Sequence, residues 1–107
     1  MIDFKQLSQI ESEGRQSFGV RMISQERGRQ IVVHGYDVEH DKKETTNSLL
    51  SAAYAYMLAS MDGENNNAVA HEHWPWDAEY FHPKDKQHNL QKAGALIAAA
   101  IDKLNEE

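Results

Sequence analysis

The sequence predicts an all-α fold, a small bundle of three to four helices with a long aromatic-rich loop. Apolar residues recur every three to four positions in several stretches, which is the spacing of one helix face. Clusters of Gly, Asn and Asp separate these stretches, as expected of turns. A chain of 107 residues forms one domain. We therefore expect a single helical domain over 1–107, with an N-terminal helix or arm at 1–19 and a core at 20–107.

The N-terminal arm is predicted to contain the first helix. Asp3 is placed to cap it, and Phe4, Leu7 and Ile10 follow helical spacing. The glycines that follow weaken the helix, so we expect a break near 17–19.

Three further helices are predicted in the core. The second runs over about 20–34, with Gly35 in the left-handed position that ends many helices. The third, about 48–61, is capped by Thr46 or Asn47, and its apolar residues surround the helix, which predicts the central element. An exposed turn follows it. The last helix is predicted over about 86–105, where Gly94 allows close approach of the third helix or of a second subunit.

The segment 68–86 is predicted to be a long irregular loop, and it carries the motif Trp74-Pro75-Trp76. Proline stiffens the step, and flat indole faces accept a purine by stacking. Two interpretations stay open for these tryptophans. Either they pack the loop onto a small core, or they line a binding pocket. Both can hold if one tryptophan is buried and the other lines the pocket.

Basic residues elsewhere in the chain suit the phosphates of a small ligand. Lys84 follows the tryptophans, and Arg27 or Arg29 would give a planar, bidentate contact. Both arginines lie in the polar block 26–30, for which we otherwise favour a solvated helix face.

A polar loop follows the second helix and contains Tyr36, Asp37, Glu39, His40 and Asp41. Its oxygen and nitrogen ligands would suit Mg²⁺ or Mn²⁺, but we favour a solvated turn. His71, His73 and His82 suggest a zinc site if the first two lie on an extended strand, and here we favour surface histidines. The predicted ligand-binding residues are Arg27, Arg29, Tyr36, His40, Asp41, Trp74, Trp76 and Lys84.

Composition and charge exclude several classes of function. The net charge of -6 disfavours binding to duplex nucleic acid, which draws on a basic face. The chain has no cysteine, so disulfides and thiolate zinc sites are absent. No apolar run is long enough to span a bilayer, and the first residues lack the pattern of a signal peptide. We expect a cytoplasmic location and no membrane partner.

Six short blocks follow one another along the chain, and together they resemble a family of short bacteriophage and prophage proteins. The blocks are Glu26–Gln30, Gly35-Tyr36, Glu39-His40-Asp41, Ala52-Ala53 with Tyr56, Trp74–Trp76 and Lys92–Ile97. The resemblance covers about residues 24–104. In that family a second acidic residue follows His-Asp and Gly-Glu-Leu-Ala opens the next helix, whereas this chain has Lys42 and 47–50 without a carboxylate.

The resemblance implies a phage protein acting in the host cell, and the two missing carboxylates favour binding over catalysis. We expect a non-catalytic protein that captures a nucleotide-type small molecule as a counter-defence or host-takeover factor, with no cofactor. One alternative is a protein–protein inhibitor of a host defence system. The second is a small metal-dependent nucleotide pyrophosphohydrolase. The modest apolar share, 40%, further suggests a homo-oligomer.

Overall fold

A computed structural model of the chain describes residues 1–33, 44–63 and 65–106. Within these ranges the protein contains helices and turns and no strand, which confirms the all-α prediction. The described α-helices number five, because one predicted loop contains a helix. They are α1 (Phe4–Gln16), α2 (Phe18–Val33), α3 (Thr46–Ser60), α4 (Asn66–His73) and α5 (Lys86–Glu106), with a 3₁₀ turn at Ala78–Tyr80.

The centre of the fold is the packing of α3 against α5. The contact is lined mainly by small side chains, and Ala52, Ala53, Ala93 and Ala100 are all buried. Small side chains allow two helix backbones to lie close together. The helices are antiparallel, since Lys86 at the start of α5 forms an ion pair with Asp62 just beyond the end of α3.

Helix caps explain where α1 and α3 begin. Asp3 caps α1 as predicted, accepting a hydrogen bond from the backbone N–H of Gln6. The cap of α3 is Thr45 rather than Thr46 or Asn47, because the hydroxyl of Thr45 accepts from the N–H of Ser48 and the Ser48 hydroxyl accepts in return. This reciprocal pair satisfies two backbone donors at once.

The predicted break between the first two helices is confirmed at Ser17, which lies outside both α1 and α2. Its hydroxyl accepts a hydrogen bond from the N–H of Val20. α1 packs on α2 and has no buried residue. The predicted end of the second helix, His34 with Gly35, lies outside the described residues.

Helix α4 occupies a stretch predicted to be irregular, so that part of the loop prediction is wrong. Gly63 and Asn65 have φ values of 154° and 67°, which reverse the chain, and the Asn66 side chain then donates to the carbonyl of Met61. Ala70 is fully buried, and α4 packs on α3. Eight residues with one buried alanine give too little periodicity to be recognised in a sequence.

Gly94 brings α2, not the third helix, close to α5. A Cβ atom at position 94 would lie 2.5 Å from Cδ1 and 2.6 Å from Cγ1 of Ile23. Such distances are well inside van der Waals contact, so a Cβ atom at position 94 would force the Ile23 side chain or the helices to shift. None of the helices in the described ranges combines the length and hydropathy needed to cross a bilayer.

Replacing Gly94 should therefore separate α2 from α5. We expect Gly94→Ala to lower the free energy of unfolding by about 1–3 kcal/mol through overpacking, despite a gain of about 1 kcal/mol in helix propensity. Ile23→Ala removes the clashing atoms, so the double variant should lose less stability than the two single losses combined. Urea denaturation of all four proteins measures this, and additive losses would show that Ile23 is not the obstacle.

Candidate functional site

A cleft of about 960 Å³ lies among the described residues. α5 forms its floor, α2 lies along one wall, and the segment 74–82 forms the other wall. α3 contributes Leu49 and Tyr56. Ligand sites typically have volumes of about 300–1,000 Å³, so this cleft has the size of a small-molecule site.

An aromatic cluster builds the wall formed by 74–82. Trp74 packs against Phe81 and Tyr56, with ring centroids 4.8 and 5.5 Å apart, and its Nε1–H donates to the carbonyl of Asp77 at 3.0 Å. Trp76 meets Trp74 edge-on at 5.1 Å. Both tryptophans are half-buried and both line the cleft. Trp74 thus anchors the segment to the core, and Trp76 is the more peripheral of the two.

Hydrogen bonds from α3 and α5 fix the path of the chain after the aromatic cluster. Asn89 is fully buried; its Oδ1 accepts from the N–H of Lys84 at 2.7 Å and its Nδ2 donates to the Lys84 carbonyl at 3.1 Å. The Tyr56 hydroxyl accepts from the N–H of His82 at 3.2 Å. Lys92 Nζ donates to the His82 carbonyl at 2.9 Å. In the sequence, the one indication of these hydrogen bonds is a single asparagine on the core side of α5.

The wall formed by α2 carries a buried carboxylate. Glu26 and Gln30 are 9% and 7% exposed, so the predicted solvated face is wrong for these two residues. Arg29 Nε donates to Glu26 Oε2 at 2.8 Å, and its Nη2 bonds the other oxygen. Burial raises the pKa of Glu26, but the hydrogen bond and charge of Arg29, with smaller contributions from Lys92 and Gln30, hold it below its usual 4.5.

Lys92 brings a cation from the floor of the cleft. Its Nζ lies 5.2 Å from the centroid of the Tyr56 ring, a cation–π distance. Burial lowers the pKa of Lys92, and the charges of Lys84 and Arg29 lower it further against the opposing effect of Glu26. Among the described residues, the charges that act on Lys92 are therefore more positive than negative. The sequence indicated packing for this block, although a lone cation in an otherwise uncharged stretch of helix was a usable signal.

The structure brings four of the predicted site residues together. Arg27, Arg29, Trp74 and Trp76 all line the cleft, and Arg27 also donates to Asp102 on α5 at 3.0 Å. Lys84 is exposed and lies outside the lining, although its charge influences Lys92. The other three predicted residues, Tyr36, His40 and Asp41, lie outside the described residues.

The histidines do not form the extended pair that the less favoured zinc-site interpretation required, and His71, His73 and His82 are all exposed. His71 and His73 lie on helix α4, where positions two apart face in different directions. The ring of His71 packs edge-on against Phe81, and that of His73 against Tyr54. In the ranges that the structure describes, no three His, Asp or Glu side chains are grouped so as to hold a metal ion.

Comparison of the chain with protein-family models, curated proteins and solved structures yields no match. We therefore infer the chemistry of the cleft from the side chains that line it. It combines flat aromatic surface and four cations with five carboxylates, of which Glu26 and Asp102 are each bound by an arginine; the cations are Arg27, Arg29, Lys92 and Lys103, and the other carboxylates are Glu44, Asp77 and Glu106. Such a site suits a ligand that carries both a planar ring and an anionic group.

The Glu26–Arg29 pair should make stability depend on pH. A carboxyl whose pKa is depressed by folding stabilises the fold above its unfolded value, near 4.5, and this contribution is lost as pH falls through the lower folded value. We expect the free energy of unfolding of Glu26→Gln to decline less than that of the native protein as the pH is lowered from 6 to the lowest value at which the native protein stays folded. Denaturant titrations at several pH values measure this.

Glu72→Gln on the exposed side of α4 is the matched control, and it should retain the native pH dependence. An identical acid decline in the native protein and Glu26→Gln would show that the ion pair does not stabilise the fold.

Proposed function

We propose that this chain is a non-catalytic phage protein that captures a nucleotide-type small molecule in the cleft. Its role would be counter-defence or host takeover. The observation that carries the proposal is the placing of Trp74 and Trp76 in one cleft with Arg27, Arg29 and Lys92. Aromatic faces hold a base by stacking, and cations hold its phosphates.

Accessible aromatic surface supports the ring-binding part of the proposal. Trp76 is half-buried, and Tyr80, which also lines the cleft, is 62% exposed. Trp74 fixes the position of its neighbour because its own ring is held by Phe81 and by the bond to Asp77. A stacking platform anchored in this way loses little conformational entropy when a base binds.

Local charge supports the anion-binding part. Lys92 is half-buried beside positive charge from Lys84 and Arg29, which disfavours its protonated form. A phosphate placed nearby would offset that repulsion and restore the ordinary pKa of the ammonium. Arg29 is already oriented by Glu26, so its guanidinium is held in a defined position at the cleft.

The pairing of two acidic groups of the cleft with arginines favours binding without turnover. Metal-assisted hydrolysis of a nucleotide would need carboxylates available to hold a cation against the phosphates. Of the five carboxylates that line the cleft, Glu26 and Asp102 instead accept hydrogen bonds from Arg29 and Arg27; the other three are Glu44, Asp77 and Glu106. A carboxylate neutralised in this way is a weak metal ligand and a weak general base.

The ligand can be identified by native mass spectrometry of the protein purified from phage-challenged and unchallenged cells. The proposal expects a reproducible added mass that matches a nucleotide derivative. Isothermal titration with nucleoside mono- and triphosphates and cyclic dinucleotides, with and without Mg²⁺, then gives the affinity. Chromatography of the same mixtures should recover the ligand unchanged. Mg²⁺-dependent product release, or no binding to any of these probes, would overturn the proposal.

Removing the peripheral indole should weaken binding of the nucleotide identified above. We expect Trp76→Ala to raise Kd about five- to 150-fold, since stacking contributes about 1–3 kcal/mol per base. Phe18→Ala is the matched control, because Phe18 is an exposed aromatic residue outside the cleft lining. Equal affinities for the native protein and Trp76→Ala in isothermal titration would exclude Trp76 as the stacking platform.

Removing the charge of Lys92 should weaken binding of the same anion. Lys92→Met keeps most of the apolar stem, and we expect Kd to rise about ten- to 150-fold, as for loss of one charged hydrogen bond. Because folding lowers the pKa of Lys92 below 10.5, native affinity should fall as pH rises towards that value, while Lys92→Met shows a smaller change. Lys86→Met, which removes an exposed cation outside the cleft lining, is the control.

A further inference from the structure

On α3, large exposed apolar residues come one position after buried residues, and this pattern repeats along the helix. Four of the six buried positions of α3, three or four residues apart, are each followed directly by a large exposed apolar residue, the last of which, Met61, comes just after the end of the helix. The buried positions are Leu49, Ala53, Tyr56 and Ser60, and the exposed ones are Leu50, Tyr54, Met57 and Met61. One residue turns a helix by about 100°, so the exposed residues form a second stripe beside the buried one.

The same arrangement occurs on α5. Of its five buried positions, Asn89, Leu96 and Ala100 are followed by Leu90, Ile97 and Ile101, whereas Ala93 is followed by the partly buried Gly94, on which Ile23 of α2 packs. Leu104 continues this stripe and is also exposed. The eight large side chains of the two stripes are between 40% and 59% exposed.

The two stripes lie on one side of the molecule. On each helix the exposed stripe is displaced from the core stripe in the same rotational sense, as seen from the N-terminus of that helix. Because α3 and α5 are antiparallel, equal displacements bring both stripes to the same side of the pair. We call this surface the α3–α5 face, formed by Leu50, Tyr54, Met57, Met61, Leu90, Ile97, Ile101 and Leu104.

Charge is scarce on both helices on this side, and the exception, Lys86, lies four residues before Leu90 and forms an ion pair with Asp62. α3 contains no Asp, Glu, Lys or Arg in its fifteen residues. Between Gln87 and Ile101, the only Asp, Glu, Lys or Arg of α5 is Lys92, and Lys92 lines the cleft. Depletion of charge with retention of large apolar and aromatic residues is typical of the buried centre of a protein–protein interface.

We propose that the α3–α5 face binds the same face of a second copy of this chain, so that two α3–α5 pairs form a four-helix core. Each stripe has the alternating three- and four-residue spacing of helices that pack side by side in bundles. One patch therefore serves both copies, as a two-fold symmetric interface requires. The face lacks the basic residues that an anionic membrane surface would attract.

The area of the protomer fits this occupant. The accessible surface is 7692 Å², whereas a compact monomer of 12.2 kDa exposes roughly 6,100 Å². α1, which has no buried residue, and the eight side chains of the α3–α5 face, each at least 40% exposed, are parts of this surface. One partner in a stable interface of ordinary size buries about 800 Å². This is about half of the difference between the observed surface and that of a compact monomer.

Self-association would leave the cleft open. On α5 the cleft-lining residues Lys92, Leu96 and Ala99 are centred about 160° around the helix from Leu90, Ile97 and Ile101. The inferred interface and the proposed ligand site therefore occupy different sides of α5. The inference does not depend on the proposed function, and failure of one does not imply failure of the other.

Sedimentation velocity of the purified full chain tests the proposal. We expect the native protein to be a dimer whose thermal midpoint rises with protein concentration. Met57→Glu and Ile97→Glu, one on each helix, should each raise the dimer dissociation constant at least a hundredfold, because each buries a charge at the contact. Tyr80→Glu is the matched control, since it places the same charge on an exposed aromatic residue of the cleft side, and it should remain dimeric.

Circular dichroism checks that each variant keeps its helices, which is expected because both positions are at least 40% exposed in the protomer. If one variant unfolds, the other variant and the concentration dependence of the native thermal midpoint decide. A native monomer at high protein concentration overturns the proposal, whether or not the protein then binds anionic vesicles. A dimer that both glutamate variants leave intact overturns it as well.

Discussion

The close packing of α3 against α5 is the constraint on which the other features of the structure depend. Alanines dominate the contact, so the two backbones approach closely but enclose little apolar volume. Larger side chains must come from elsewhere, and Phe81 and Trp74 supply them by packing on Tyr56. The aromatic wall of the cleft therefore exists partly because the helical core needs it.

α5 organises the remaining surfaces, because its sides contact three different parts of the molecule. One side packs on α3, another meets α2 at Gly94, and a third forms the floor of the cleft. The ion pair between Arg27 and Asp102 links α2 to α5 again near the end of the cleft. Asn89 ties the aromatic segment to the same helix. Small displacements of α5 would therefore change both walls of the site together.

Burial has a different physical basis on the polar and apolar sides of the molecule. In the cleft, Glu26 is buried because Arg29 satisfies its charge, and Lys92 is half-buried over an aromatic ring. On the α3–α5 face no charge is present to be satisfied, and exposed apolar side chains gain free energy only by contact with another surface. A small ligand and a second protein chain therefore suit opposite sides of α5 for separate physical reasons.

The sequence by itself determined the helical class, the cap at Asp3, the start of α5 at Lys86 and the involvement of Trp74 and Trp76 in one surface segment. These features depend on local chemistry, namely capping, apolar periodicity and the stiffness of the Trp-Pro-Trp step. The tertiary structure alone decided the burial of Glu26 and the neighbour of Gly94, because each is set by a residue distant in sequence. In the sequence, a polar helix face that is buried looks the same as one that is solvated. The two can be told apart only when the helix that covers the face and the cation that neutralises it are known.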